Sequence, residues 1–150
     1  MAKKLPNDAL LTEIIQQVSS AKTKKEKVEL LQKYNNNGLR AILIINFDES
    51  LKFLLPEGDV PFTRNEAPAG TEHTRLDHEY KGFYRFFQGG DASLNNMNRE
   101  KLFIQLLEGL QEDEADLFIA ACNKTIQKKY RVTKAVVSEA FPQIEWGNRG

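Results

Sequence analysis

Leu39-Arg40-Ala41-Ile42-Leu43-Ile44-Ile45-Asn46-Phe47 is the stretch on which the fold class turns. Its apolar run, Ala41 to Ile45, fits a strand buried on both faces and a helix buried all round equally well, because hydrophobic periodicity cannot separate the two. The flanks decide. Upstream, Val28, Leu30, Leu31 and Tyr34 recur at helical spacing while Lys22, Lys25, Lys33, Glu26 and Glu29 take the opposite face. This pattern predicts a helix from Thr23 to Tyr34, stopped by Asn35-Asn36-Asn37-Gly38. Before it, Leu10, Leu11, Ile14, Ile15 and Val18 form another helical stripe, with Asp8 placed after Pro6 as its N-cap. No partner strand is visible on this side, so 39–47 reads as a helix.

Downstream the pattern dissolves. From Leu54 to Glu79 the chain is punctuated by Pro56, Gly58, Pro61, Pro68 and Gly70 without periodicity, which reads as a long loop of the kind that is either functional or mobile. Between Asp48 and Tyr80 there are eight acidic residues against three basic ones, so this side should repel polyanions. A short aromatic helix with Tyr80, Phe83, Tyr84, Phe86 and Phe87 follows and ends at Gly89-Gly90. Helical spacing gives these rings a core role ahead of base stacking. Asn98 to Leu110 and Glu112 to Tyr130 are amphipathic helices, the second acidic in its first turn and basic in its last, as the macrodipole favours. A final helix from Thr133 to Phe141 is N-capped by Thr133 and stopped before Pro142. The expectation is an all-α, single-domain bundle of about seven helices over residues 1–150, with one long acidic Pro/Gly-containing loop at 54–79 and flexible ends at 1–7 and 145–150.

A chain of 150 residues that is 41% hydrophobic can bury one core and has no room for a second. No apolar run reaches the length of a membrane span and the first residues lack a signal-like apolar core, so a cytoplasmic protein without a membrane partner is expected. Cys122 stands alone, which excludes an internal disulfide and a Cys-rich zinc site and fits a reducing compartment. It falls among apolar residues with no neighbouring His to act as base, so it reads as a small buried hydrophobe. There is no glycine-rich phosphate loop, Gly-x-Ser-x-Gly elbow, His-Glu-x-x-His or Cys-x-x-Cys, and no enzyme, cofactor or small-molecule substrate is expected. His73, Asp77 and His78 have the right ligand types for zinc or iron, but a helix would turn His78 away from the other two. They read as a polar loop edge, and no metal site is assigned.

Lys and Arg together number 21, as do Asp and Glu, so only the distribution of charge points to a partner. Lys22, Lys24, Lys25 and Lys27 form one basic cluster, and Lys124, Lys128, Lys129, Arg131 and Lys134 a second. Lys124, Lys128 and Arg131 follow an i, i+4, i+7 flank, and no acid intervenes between Asp116 and Glu139. Grouped cations suit phosphates because each neutralised phosphate releases condensed counterions. Either cluster alone reads first as a solvated helix face with dipole-favoured lysines. Together they favour an anionic partner.

The run Val18-Ser19-Ser20-Ala21-Lys22-Thr23-Lys24-Lys25-Glu26-Lys27-Val28-Glu29-Leu30-Leu31, followed by an Asn-rich break and the apolar helix from Leu39, resembles the opening of the N-terminal DNA-binding domain of ATP-dependent DNA ligases, especially those of tailed phages. Tyr130-Arg131-Val132-Thr133-Lys134-Ala135-Val136-Val137-Ser138-Glu139-Ala140-Phe141-Pro142 resembles that domain's last helix. The resemblance implies an all-helical domain that grips duplex DNA across the minor groove around a nick, mainly through phosphates. Lys22, Lys24, Lys25, Lys128, Lys129, Arg131, Thr133 and Lys134 fall in the matching segments. The family's Asp-Leu-x-x-Gly turn is here Gln127-Lys128-Lys129-Tyr130-Arg131, which puts a side chain where backbone would approach DNA. The Lys-x-Asp-Gly of the adenylated lysine is absent, so ligation by that family's mechanism is excluded. The reading is a non-catalytic accessory, phage-encoded on this resemblance, for duplex or nicked DNA. Its competitor is an interaction adaptor whose 54–79 loop docks a host or replication protein.

Overall fold

The computed structural model describes residues 9–55, 62 and 74–147. Among these, Phe53 and Phe87 make one isolated antiparallel bridge, no strand forms, and every regular element is helical. The order is α1 (Leu11–Ser20), α2 (Lys24–Lys33), α3 (Asn37–Phe47), α4 (Leu76–Glu79) running into a 3-10 helix (Tyr80–Phe86), α5 (Asn96–Gly109), α6 (Glu112–Cys122), α7 (Ile126–Lys129) and α8 (Lys134–Ala140). The ambiguous stretch is helical, as its flanks predict. Asn36 Oδ1 accepts the Leu39 N–H at 2.8 Å to cap α3, and Leu39, Ile42 and Leu43 are completely buried while Ala41 and Ile44 stay half-buried.

The helix expected from Glu112 to Tyr130 is broken. α6 ends at Cys122, Lys124 turns to φ 60°, and the Thr125 and Lys124 N–H groups reach back to the Ala120 and Ala121 carbonyls at 2.8 and 3.0 Å. That paired termination normally takes glycine at the left-handed position. Here a lysine occupies it because its ammonium is held elsewhere, donating to the Ile45 and Asp48 carbonyls at 2.7 and 2.8 Å. The chain restarts as α7, whose first N–H, that of Ile126, donates to Asn46 Oδ1 at 3.0 Å. The C-terminal end of α3 thus dictates where α6 stops and α7 begins.

A buried carboxylate organises the opposite end of α6. Glu114 is fully buried, and its Oε2 and Oε1 accept the N–H groups of Leu11 and Leu76 at 3.0 and 3.1 Å, the first residues of α1 and α4. One side chain therefore serves two helix N-termini, each of which presents unpaired donors and a partial positive charge. Leu10, not Asp8, holds the N-cap position of α1, and Asp8 lies outside the described residues. Arg75 closes the node, pairing bidentately with Asp77 and donating to the Ala9 carbonyl at 3.0 Å. α3 comes so close to α4 that a Cβ on Gly38 would lie 2.7 Å from Asp77 Cα, so only glycine fits there.

The aromatic segment after α4 packs inward as its spacing predicts, although as a 3-10 helix. Phe83, Phe86 and Phe87 are buried and join Phe53, Phe103 and Phe118 in a cluster with ring centroids 4.7–6.1 Å apart, while Tyr84 stays half exposed. Most of the expected 54–79 loop, residues 56–61 and 63–73, lies outside the described residues, and its last four residues form α4. The same is true of residues 1–8 and 148–150. Residues 145–147, expected to be loose, are tied down: Trp146 Nε1 donates to Ser138 Oγ at 3.2 Å and the Gly147 N–H to Asp48 Oδ2 at 3.0 Å.

Candidate nucleic-acid interface

α2 starts where Thr23 Oγ1 accepts the Glu26 N–H at 3.2 Å, and α8 where Thr133 Oγ1 accepts the Val136 N–H at 3.3 Å. Both caps follow the rule that a short hydroxyl satisfies one of the orphan donors of a first turn. Each lies in a corner rich in lysine, and the two corners meet. α2 packs along α8. The backbone of Arg131, in the turn between α7 and α8, is gripped from both sides of the turn between α1 and α2. Its N–H donates to Ser19 Oγ at 2.9 Å and its carbonyl accepts from Lys27 Nζ at 2.5 Å. Segments more than 100 residues apart thereby share one surface.

Lys22, Lys24, Lys25, Lys128, Lys129, Arg131, Thr133 and Lys134 are all exposed. The clamp holds Arg131 by its main-chain N–H and carbonyl alone, so its guanidinium extends from a fixed base. Thr133 accepts a hydrogen bond through its oxygen and keeps its own O–H for a further acceptor. Lys24 Nζ stands 3.8 Å from Glu139 Oε1, both side chains being 55% exposed, a pairing too wet to hold the lysine back from a stronger anion. Lys129 and Lys134 lie over the rings of Tyr130 and Trp146 at 5.6 and 5.1 Å, which orients each ammonium while leaving it in solvent. Glu26 and Glu29 on α2 are exposed too, so the surface is basic with acidic interruptions.

Lys124 leaves this group. Its ammonium faces inward on the end of α3, and the break after Cys122 removes the flank it was expected to share with Lys128 and Arg131. Burial lowers its pKa, against an upward pull from Asp48. Lys27, which sequence reading placed among the phosphate ligands' neighbours, is the buttress of the Arg131 turn. Ser19 and Trp146 were not predicted to take part: nothing marks Ser19 apart from its place in the quoted run, and Trp146 follows the proline that ends the last helix pattern.

The other candidate groups do not converge. Cys122 is buried and desolvation pushes its thiol well above the usual range, which leaves it protonated and unreactive. Asp77 is engaged by Arg75, His78 is exposed with Nε2 3.7 Å from Asp77 Oδ1, and His73 lies outside the described residues. Among the described residues no three His, Cys, Asp or Glu side chains group as metal ligands, and no helix is long and apolar enough to cross a membrane.

No curated protein and no solved structure matches the chain. The model of a family described as of unknown function, DUF6433, matches residues 14–128, from the second turn of α1 into α7, and the chain belongs to that family.

Proposed function

We propose that the protein is a non-catalytic accessory that binds duplex or nicked DNA through the surface formed where the α1–α2 and α7–α8 turns meet. The observation that carries this reading is the clamp on Arg131: it turns two lysine clusters, each unremarkable on its own helix, into one array around a fixed backbone. Lys22, Lys24 and Lys25 supply one side, Lys128, Lys129, Arg131 and Lys134 the other, and the Thr133 hydroxyl a neutral donor. Contacts of this kind go to phosphates and fix position without reading sequence. The resemblance of both segments to the DNA-binding domain of ATP-dependent ligases supports the same surface, and the missing adenylation motif leaves binding without ligation.

The test is a titration of the full chain with nicked, intact and single-stranded DNA of one sequence, followed by the emission of Trp146, the sole tryptophan, which lies under Lys134. Saturable binding that is tightest on nicked or intact duplex supports the reading. Absence of binding to all three at low salt refutes it and leaves a protein partner as the explanation of the surface.

A further inference from the structure

Two aromatic rings lie under cations of the lysine-rich corner, and they differ in access. Tyr130, under Lys129, is buried and serves the core, whereas Trp146, under Lys134, is only half-buried. Lys134 and Ser138 are one turn apart on α8, and the indole rests across both of them. Its Nε1 donates to Ser138 Oγ at 3.2 Å, and Lys134 Nζ stands 5.1 Å from the ring centroid. The segment that carries the ring is fixed on either side. The Ile144 N–H donates to the Phe141 carbonyl at 3.1 Å, and the Gly147 N–H to Asp48 Oδ2 at 3.0 Å. Asp48 is itself buried, and its other carboxylate oxygen accepts the N–H and hydroxyl of Ser50. The indole is therefore held by its polar edge and by its backbone, and its place does not depend on the lysine above it.

The lysine is the exchangeable part. An exposed ammonium over an indole is a weak pair, and a phosphate competes for the same ammonium with a stronger, charge-assisted hydrogen bond. Once Lys134 turns to a phosphate, it leaves the ring face that it covered. A nucleobase that stacks there gains more than the exposed lysine–indole pair loses. Glu139 and Glu145, exposed neighbours of Ser138 and Trp146 in sequence, oppose a further phosphate at this place but not an uncharged base. In a paired duplex every base is already stacked on its neighbours, so the base that reaches the ring has to be unpaired. A row of cations beside an aromatic platform is the combination that holds unpaired nucleotides.

We propose that Trp146 is a stacking platform for one unpaired base of the bound DNA, uncovered when Lys134 takes the neighbouring phosphate. This rests on the DNA-binding reading and adds the class of substrate to it: a duplex with an unpaired base at a break in one strand, in preference to a fully paired one.

The test compares the full chain on three nicked duplexes of one sequence: fully paired, with one unpaired adenine at the nick, and with an abasic unit in place of that adenine. The unpaired adenine should tighten binding about tenfold over the other two and quench the indole emission at saturation. Trp146→Ala should bring the three affinities together at the level of the fully paired duplex. Lys134→Ala should keep the preference, lower the affinity for all three and remove about one contact from the salt slope. Trp146 packs on the core, so if far-UV circular dichroism shows Trp146→Ala unfolded, quenching in the parent chain by the adenine duplex against the abasic one decides the matter. Equal affinity for those two duplexes overturns the inference and leaves the DNA-binding reading standing. Equal quenching by them, or a preference that survives in folded Trp146→Ala, does the same. Binding to none of the three overturns both.

Discussion

Glu114 holds a carboxyl group where water does not reach, and the balance there is visible in its acidity. Burial pushes its pKa up to about 7 from 4.5, Asp77 adds to the rise, and the Leu11 and Leu76 amides and Arg75 hold it down. Between those two pH values the folded chain binds more protons than the unfolded chain, so stability falls as pH rises through the window, by about 3 kcal/mol in all, and is recovered on acidification. Urea unfolding at pH 4.5, 6 and 7.5 measures it. Glu114→Gln should flatten this slope while lowering stability throughout, because an amide NH2 would face one of the two N–H donors; an unchanged slope would show that another group sets it. Lys124 makes a second residue-level case. Lys124→Ala leaves the Ile45 and Asp48 carbonyls without their ammonium and keeps a side chain at φ 60°, whereas Lys124→Gly loses the ammonium and relieves the backbone. Both should melt below the parent, with glycine more stable than alanine by about 1 kcal/mol. Neither residue announces itself in the sequence. A buried Glu in an acidic first turn looks like any dipole-favoured acid, and a Lys in a helix terminator that favours glycine is explained only by carbonyls 76 and 79 residues away.

Elements with a long apolar stripe were legible, and those held by distant groups were not. α1, α2, α3, α5 and α8 appear where the sequence pattern predicts, within a few residues at each end, although Leu10 and not Asp8 holds the N-cap position of α1. α3 was decided by its neighbours, since its own residues carry no period. α4 was missed because four residues cannot display one and because its first N–H is satisfied by a side chain 38 residues on. α7 was fused to α6 because Asn123-Lys124-Thr125 contains neither glycine nor proline to mark a break. Of the basic residues, those in the two corners were found from composition, while their meeting depends on Ser19 and Lys27, whose part no local pattern reveals. The turn between α7 and α8 carries the element-level prediction. Lys128→Glu with Arg131→Glu alters exposed side chains and spares the backbone clamp, so the melting temperature should shift by no more than about 0.3 to 1 kcal/mol per charge would cause. DNA affinity should fall at least tenfold at low salt. Wild-type binding by the folded double variant would remove this turn from the interface.

At the scale of the whole molecule, zero net charge hides a segregation of charge, with cations at the α1–α2 and α7–α8 corner and acids in the first turn of α6 and in the sequence from Asp48 to Tyr80. On the proposed DNA-binding reading, long-range attraction is then weak and contact local, so few phosphates would be engaged. If about three to five are, log affinity should fall with log salt at about −0.9 per contact, and the Lys128→Glu, Arg131→Glu variant should lose about two contacts from that slope. A salt-independent affinity would contradict it. The clamp on Arg131 also sets an order in time. Its partners are Ser19 and Lys27, and 112 and 104 residues separate them from it along the chain. A ribosome adding residues one by one will have made α1 and α2 long before Arg131 leaves the exit tunnel, and closing so large a loop is a late, entropically costly step. The growing chain therefore carries its first lysine cluster for the time it takes to make about a hundred further residues, and the joined surface forms only once the α7–α8 turn has been made and has folded back onto α1 and α2.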